Sequence, residues 1–355
     1  MEHWSAQIVT RAGDVIDELP RIRAGSLEWN AFAAVQSGGT LEFTRAPSPK
    51  IDWITSRIRI MHHADGIDRP MGVYIPAWPK TRRTTALTQA SVRLEDPTAR
   101  LRSQLAHWAQ YGAGTVVTDR IAGNLRKLGE TAIALTPSGE TLRTPMAWEP
   151  DKTWGNVTAD LLDVIGYGSI WCDQSGWWRA APYVPPTQRP IRAIYGDDPM
   201  DLLVRPEYEE EADLTDVPNH VLLWTRGDSE HPSLRAEARI IDPAHPWHQD
   251  RVGLFSHAES VEAASQEVLD AKARRMLAEG LEFSRYVTWE HPVDGTTLGD
   301  RVVLRTHDLD VVITHRKISL GIGAVVESRG RHIYTGGPLL SMFKAVLLGQ
   351  WHNLS

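Results

Sequence analysis

The chain has 355 residues, 42% hydrophobic and 23% charged, with 38 basic against 45 acidic side chains for a net charge of −7. That length has room for two or three domains with cores of their own, and the composition excludes a disordered chain. The acidic balance argues against a nucleic-acid-binding surface as the main role, and a single cysteine excludes an internal disulfide.

Folding in a reducing cytoplasm is therefore expected. No basic start leads into an apolar run after Met1, so no secretory signal is expected. No apolar run approaches the roughly 18 residues of a membrane-spanning helix, and the apolar stretch 338–348 is too short to span.

The first 45 or so residues alternate strand-like runs with turns. Runs at 6–10 and 14–19 divide at Gly13, and runs at 27–35 and 40–44 divide at a Ser-Gly-Gly turn over 37–39. The strand at 57–61 puts its arginines on a polar face. Strands at 71–75 and 84–94 follow, and Asp96-Pro97 starts a helix through Leu101, Leu105 and Trp108. A mixed helical stretch covers 115–128.

Residues 146–186 read most clearly. They hold five of the fourteen tryptophans and the only cysteine, Cys172. Val157, Leu161, Leu162 and Ile165 fall at helical spacing and predict a helix over 154–165. After Gly166 the period becomes two, which predicts strands at 169–172 and 177–183 joined by Asp173, Gln174, Ser175 and Gly176. Adjacent strand residues face opposite ways, so at least one of Trp177 and Trp178 is expected to be buried.

Beyond this unit Pro185, Pro186 and Pro190 mark a linker, and the acidic run 207–213 reads as a solvated loop. Strands are expected at 221–226 and 236–242. A helix over 260–279, capped by Ser260, carries a buried stripe of Val261, Ala264, Val268, Leu269, Met276 and Leu277. Strands at 284–290, 301–305, 310–315, 317–320 and 324–329 follow. The order is β-rich segment, small α/β unit, β-rich segment, which a divergent duplication would produce.

Chemistry-bearing clusters are few. His62, His63, Asp65 and Asp68 share a loop, as do His245, Trp247, His248 and Asp250, but neither spacing fits a familiar metal site and loop packing is preferred. Cys172 lies mid-strand without a histidine partner pattern and reads as a small buried residue. There is no G-x-S-x-G, no S-x-x-K set and no phosphate loop, and the GIG at 321–323 lacks a third glycine. No catalytic, cofactor-binding or metal-binding residue, and no cofactor, is expected. For the tryptophans, core or interface packing is preferred over ligand stacking.

The order of motifs resembles a known family. WEPDKTWGNVTADLLDVIGYGSIWCDQSGWWRAAPYVPP is similar to the central region of tail hub (minor tail, or baseplate hub) proteins of long-tailed actinobacterial phages, where a short helix and a "D-x-x-G-x-W" hairpin precede a proline-rich exit. SGGTLEFTR, TSRIRI, MGVYIP and TQASVRLEDPTARL upstream, and DLTDVPNHVLL and EHPVDGTTLGDRVVL downstream, fall in matching order over residues 5–330. Such hubs are similar to the hub part of contractile-tail and type VI spike proteins.

The resemblance implies an α+β, β-rich fold: two tail-tube-like β-barrel or sandwich domains, each with a packed helix, and a small α/β domain between them. The expected divisions are 1–110 (a unit the middle domain can interrupt), 111–190, 191–335 and a tail at 336–355. It implies a structural virion protein at the tail tip, assembled in the host cytoplasm. A homotrimer would form a ring beneath the six-fold tail tube, passing tape-measure protein and then DNA. Implied partners are the distal tail or tail-tube protein, the tape-measure protein and receptor-binding proteins, with DNA only in transit. Edge strands would pair between protomers, and an acidic lumen would repel phosphate. The long C-terminal extension of some relatives is absent from this sequence, which lowers the expectation of enzymatic work. Two rival readings are a carbohydrate-binding tail-tip or cell-surface module and a cell-wall hydrolase.

Overall fold

The computed structural model describes residues 2–45, 47, 51–83, 88–196, 207–210, 217–227, 231–245, 247–281, 285–305 and 309–333. The expected tail at 336–355 and the apolar stretch within it lie outside the described residues.

The first run of strands is β1 (His3–Val9), β2 (Val15–Glu18), β3 (Ile22–Asn30), β4 (Ser37–Phe43), β5 (Arg57–Ala64), β6 (Ile67–Pro76), β7 (Lys80–Arg83) and β8 (Thr88–Glu95). The middle unit holds β9 (Ala109–Tyr111), α1 (Val117–Lys127), β10 (Met146–Trp148), α2 (Trp154–Val164), β11 (Trp171–Cys172) and β12 (Trp178–Arg179). There follow β13 (Ile191–Tyr195), β14 (Glu207–Glu210), β15 (His220–Trp224), β16 (Arg235–Arg239), α3 (Gln249–Val252), β17 (Ser256–Ser260) and α4 (Gln266–Leu281). The last run is β18 (Arg285–Pro292), β19 (Arg301–Leu304), β20 (Leu309–Ser319) and β21 (Val325–His332). The molecule is β-rich α+β, as the sequence implies.

Strands from the two β-rich segments join in one sheet, ordered β14-β18-β21-β20-β3-β4-β8-β6-β5-β1-β2. The junction is the antiparallel pairing of β20 with β3, from His315↔Asn30 to Ser319↔Ser26. β6 turns the corner on the early side, pairing with β5 along most of its length and with β8 through Ile75 and Pro76. The alternating apolar residues of these strands, among them Leu27, Leu41, Phe43, Ile58, Ile60 and Val92, close a core that also takes Ile318, Leu320 and Val326 from the far end of the sequence. A second β core gathers Tyr195, Val287, Trp289, Val302, Val311 and Ile313.

The Ser-Gly-Gly turn expected at 37–39 is instead the start of β4. A Cβ on Gly39 would stand 2.1 Å from the Ser26 carbonyl oxygen, so glycine is what lets β4 lie so close against β3, and the turn falls at 31–35. The acidic run expected as a loop contributes β14 at 207–210, antiparallel to β18, and 211–213 lie outside the described residues. A charged strand is what a sheet edge tolerates. Asp96 caps a 3-10 turn, Pro97–Arg102, rather than a helix reaching Trp108. The chain leaves it at Ser103, whose carbonyl takes the Trp154 N–H (3.0 Å), while the Leu105 N–H goes to the Lys152 carbonyl (2.9 Å).

In the middle unit α2 forms where its periodicity predicts, while the strands expected at 169–172 and 177–183 shorten to 171–172 and 178–179. Val157, Leu161 and Leu162 of α2 pack with Ile121 and Leu125 of α1 and with Trp148 and Trp178. Thr153 and Asn156 make a reciprocal capping box at the start of α2. Thr153→Ala is expected to cost about 1 kcal/mol, read as a lowered urea midpoint with unchanged slope.

The helix expected over 260–279 is shifted. Residues 256–260 form β17, parallel to β15, and α4 begins at Gln266. Ser265, not Ser260, caps it, its hydroxyl accepting the Val268 N–H at 3.4 Å. Leu269 and Ala273 are fully buried against β15 and β16, with Val261, Val268, Met276 and Leu277 packed around them, while Ala264 packs on the middle-unit core.

Candidate assembly surfaces

Of the two arginines on the strand at 57–61, Arg59 is partly exposed and donates to the Gly13 carbonyl, but Arg57 does not reach solvent. Arg57 is 2% exposed because the middle unit covers that face of β5, and its Nη2 lies 2.9 Å from Glu130 Oε1. Trp178 Nε1 donates to the other oxygen of Glu130 at 3.2 Å. Burial pulls the Arg57 guanidinium below its ordinary value, and the Glu130 charge opposes this. Arg11 adds a bond from Nη1 to the Gly129 carbonyl at 3.0 Å. On its opposite side the middle unit meets the α4 unit through the Lys272–Asp163 ion pair and through Arg143, which donates to the Pro232 carbonyl at 2.9 Å.

A second buried cluster sits at the sheet junction. Asp294 accepts from the Tyr195 hydroxyl at 2.5 Å and from the Thr296 N–H and hydroxyl at 2.9 and 2.6 Å. His291, fully buried, places Nδ1 3.3 Å from Asp294, and Arg316 on β20 places Nη2 3.5 Å away. The Arg316 guanidinium also lies 5.5 Å from the centre of the Trp29 ring on β3. Burial opposes the Asp294 charge, yet His291, Thr296 and Tyr195 hold the carboxyl well below its ordinary range.

Among the described strands that carry a neighbour on one side only, two are exposed along their whole length. All four residues of β2 are exposed, including Val15 and Ile16, and β2 pairs solely with β1. All five residues of β17 are exposed, and it pairs solely with β15. The chain entering β17 is held by buried Asn219. Its side-chain amide donates to the Trp247 and Gly253 carbonyls (3.1 and 2.7 Å) and its oxygen accepts the Phe255 N–H (2.9 Å). Leu254 and Phe255 are thereby fixed with most of their apolar surface in water. Open edges beside exposed apolar side chains are the features by which strands of separate chains associate.

Of the first histidine cluster, His62 and His63 lie in β5 and Asp68 in β6, on either side of the turn, rather than in one loop. His62 faces Glu2 at 3.0 Å, and His63 lies between Ser5 (2.8 Å) and Asp68 (2.6 Å). In the second cluster His245 and His248 accept backbone N–H groups two residues on. Among the described residues no group of three or more His, Cys, Asp or Glu is arranged to hold a metal. Cys172 is half-buried, and burial with nearby Asp96 and Glu130 raises its thiol far from a reactive thiolate. Trp178 is the buried member of its pair, at 1% exposure, and Trp177 faces out. No helix among the described residues is long and apolar enough to cross a membrane.

No family model matches the sequence, and neither does any curated protein. Solved structures do match. The chain is similar to a tail protein from Neisseria meningitidis MC58, with a TM-score of 0.63 and 15% identity over 93% of this chain and 96% of that one. It is similar to the 43 kDa tail protein of prophage MuSo2 from Shewanella oneidensis, with a TM-score of 0.60 and 11% identity over 93% and 98%. The c3393 protein of E. coli, a component of the type VI secretion system, matches with a TM-score of 0.50 and 11% identity over 89% and 75%. The chain thus has the fold of phage tail proteins and of a type VI secretion component.

Proposed function

We propose that this chain is a structural hub protein of a phage tail tip, of the kind found in long-tailed actinobacterial phages, and not an enzyme. Its trimer closes a ring that adapts the six-fold tail tube to the tip and passes tape-measure protein and then DNA. The units at 1–110 and 191–335 act as the two tube-like elements, and 111–190 braces them. Its partners are a second and third copy of itself, the tail-tube or distal tail protein, the tape-measure protein and receptor-binding proteins. The observation that supports this is the fold shared across 93% of the chain with two tail proteins, one of them from a prophage, that it spans almost completely. The exposed edges of β2 and β17 supply strand-pairing surfaces of the kind a ring needs.

Light scattering coupled to size exclusion, with negative-stain class averages, tests it. The expected species is a trimer with a central hole, formed alone or on mixing with the cognate tail-tube protein. A monomer that stays monomeric in both conditions at high concentration would sink the hub reading.

A further inference from the structure

We propose that the outward face of the β11–β12 hairpin is a carbohydrate-binding site that takes a pyranose ring of a neutral glycan against Trp171 and Trp177. The inference is independent of the ring assembly proposed above. Cys172 and Trp178 are cross-strand partners, and Trp178 is buried in the core of the middle unit. Strand alternation therefore turns the other pair, Trp171 and Arg179, to the opposite face. The Asp173 N–H donates to the Trp177 carbonyl at 2.9 Å, continuing the ladder and putting Asp173 and Trp177 on that same face. Trp171 and Trp177 are 36% and 40% exposed, against 1% for Trp178. Diagonal neighbours across an antiparallel pair are about 7–8 Å apart or less, within reach of one ligand for aromatic side chains.

Between them lies a fixed polar pair. Asp173 accepts the N–H groups of Ser175 and Trp177 through one oxygen, both at 2.9 Å, and Arg179 Nε through the other, also at 2.9 Å. That leaves the two Nη groups of Arg179 as oriented donors without a hydrogen bond among the described residues. Charge is balanced within the pair, so a neutral ligand with many hydroxyls fits better than an ion. Indole faces supply the complementary surface for the C–H face of a sugar ring. The acidic chain disfavours nucleic acid, the other common ligand of aromatic platforms.

The face is also rigid before any ligand arrives. Gly176 at the hairpin tip has φ +89, and a Cβ there would meet Val73 of β6 at 2.9 Å, so the tip is pressed onto the large sheet. Behind it, Trp178 is tied to Glu130. Little ordering cost is left for binding.

The test titrates the full-length protein with cellotetraose, maltotetraose and chitotetraose in a calorimeter. At least one tetraose is expected to bind below about 10 mM, with Trp171→Ala and Trp177→Ala each weakening it about tenfold or more. Both residues lie outside the core, so each variant is expected to keep the wild-type melting temperature, and Arg179→Gln supplies a milder third variant with the same direction of effect. Absence of heat from all three sugars overturns the proposal, as does binding that both tryptophan variants retain. Burial of Trp171 and Trp177 in an oligomer, seen as loss of their acrylamide quenching, overturns it too, because the face would then be a subunit contact.

Discussion

Glu130→Ala is expected to destabilise the protein by about 3–5 kcal/mol, since it strands a guanidinium in a site sealed from water. Arg57 and Glu130 are 2% and 4% exposed, and neither can recover solvent without parting the middle unit from β5. Trp178 loses its indole acceptor in the same change, adding an unpaired buried donor. Glu130→Gln keeps acceptor geometry and removes the charge, so it should fall between wild type and the alanine variant. The pair Arg57→Met with Glu130→Leu replaces both charges by apolar volume, and it should recover much of the loss because buried ion pairs return little net stability over such replacements. Urea unfolding of the four proteins measures this. A loss under about 1 kcal/mol for Glu130→Ala would mean that water reaches the site.

The second large effect is expected at Asp294, whose replacement by alanine should cost on the order of 3 kcal/mol. Arg316 is 1% exposed, and the Asp294 carboxylate 3.5 Å away offsets its buried charge, while the fully buried His291 ring lies 3.3 Å from the same carboxylate. The pH dependence has a defined sign. A carboxyl held below its ordinary 3.8 in the folded protein contributes stability that is present above that value, and the contribution is lost as pH falls beneath it. Wild type should therefore lose stability more steeply than Asp294→Ala as pH is lowered from about 5 toward 3. Parallel slopes for the two proteins, from thermal melts across that range, would remove Asp294 from the account of acid sensitivity.

How much of this was legible in the sequence depended on whether the decisive contact was local. The middle unit was readable because Thr153, Asn156 and the α2 stripe act within a few turns, and because Trp177 and Trp178 alternate across one short hairpin. The polar-face reading of Arg57 failed for the opposite reason. Its partner lies 73 positions away, and alternation alone does not distinguish water from an ionic partner. The helix over 260–279 was placed too early because Ser260 and Ser265 are both plausible caps, and only the parallel pairing of 256–260 with β15 decides between them. Likewise the glycines at 38 and 39 serve equally in a turn or in a close strand contact, and the approach of Ser26 settles which. The sheet edges, which matter most for assembly, carry no signature of their own: Val15 and Ile16 look like any core strand until their neighbours are known.

The pairing of β20 with β3 also fixes an order of events during synthesis. Glu28 and His315, bonded across that junction, are 287 positions apart. Until residues 309–326 emerge from the ribosome, the early β core lacks Ile318, Leu320 and Val326, and β3 has nothing along one side. Formation of the full sheet is therefore dominated by a contact of very long sequence separation, which slows folding. The nascent chain must meanwhile carry an unfilled apolar seam next to a bare strand, the condition under which chains associate wrongly. Truncated products and slow expression at high temperature should accordingly aggregate through the early strands, while the middle unit, with its own helices and hairpin, is the portion able to form on schedule.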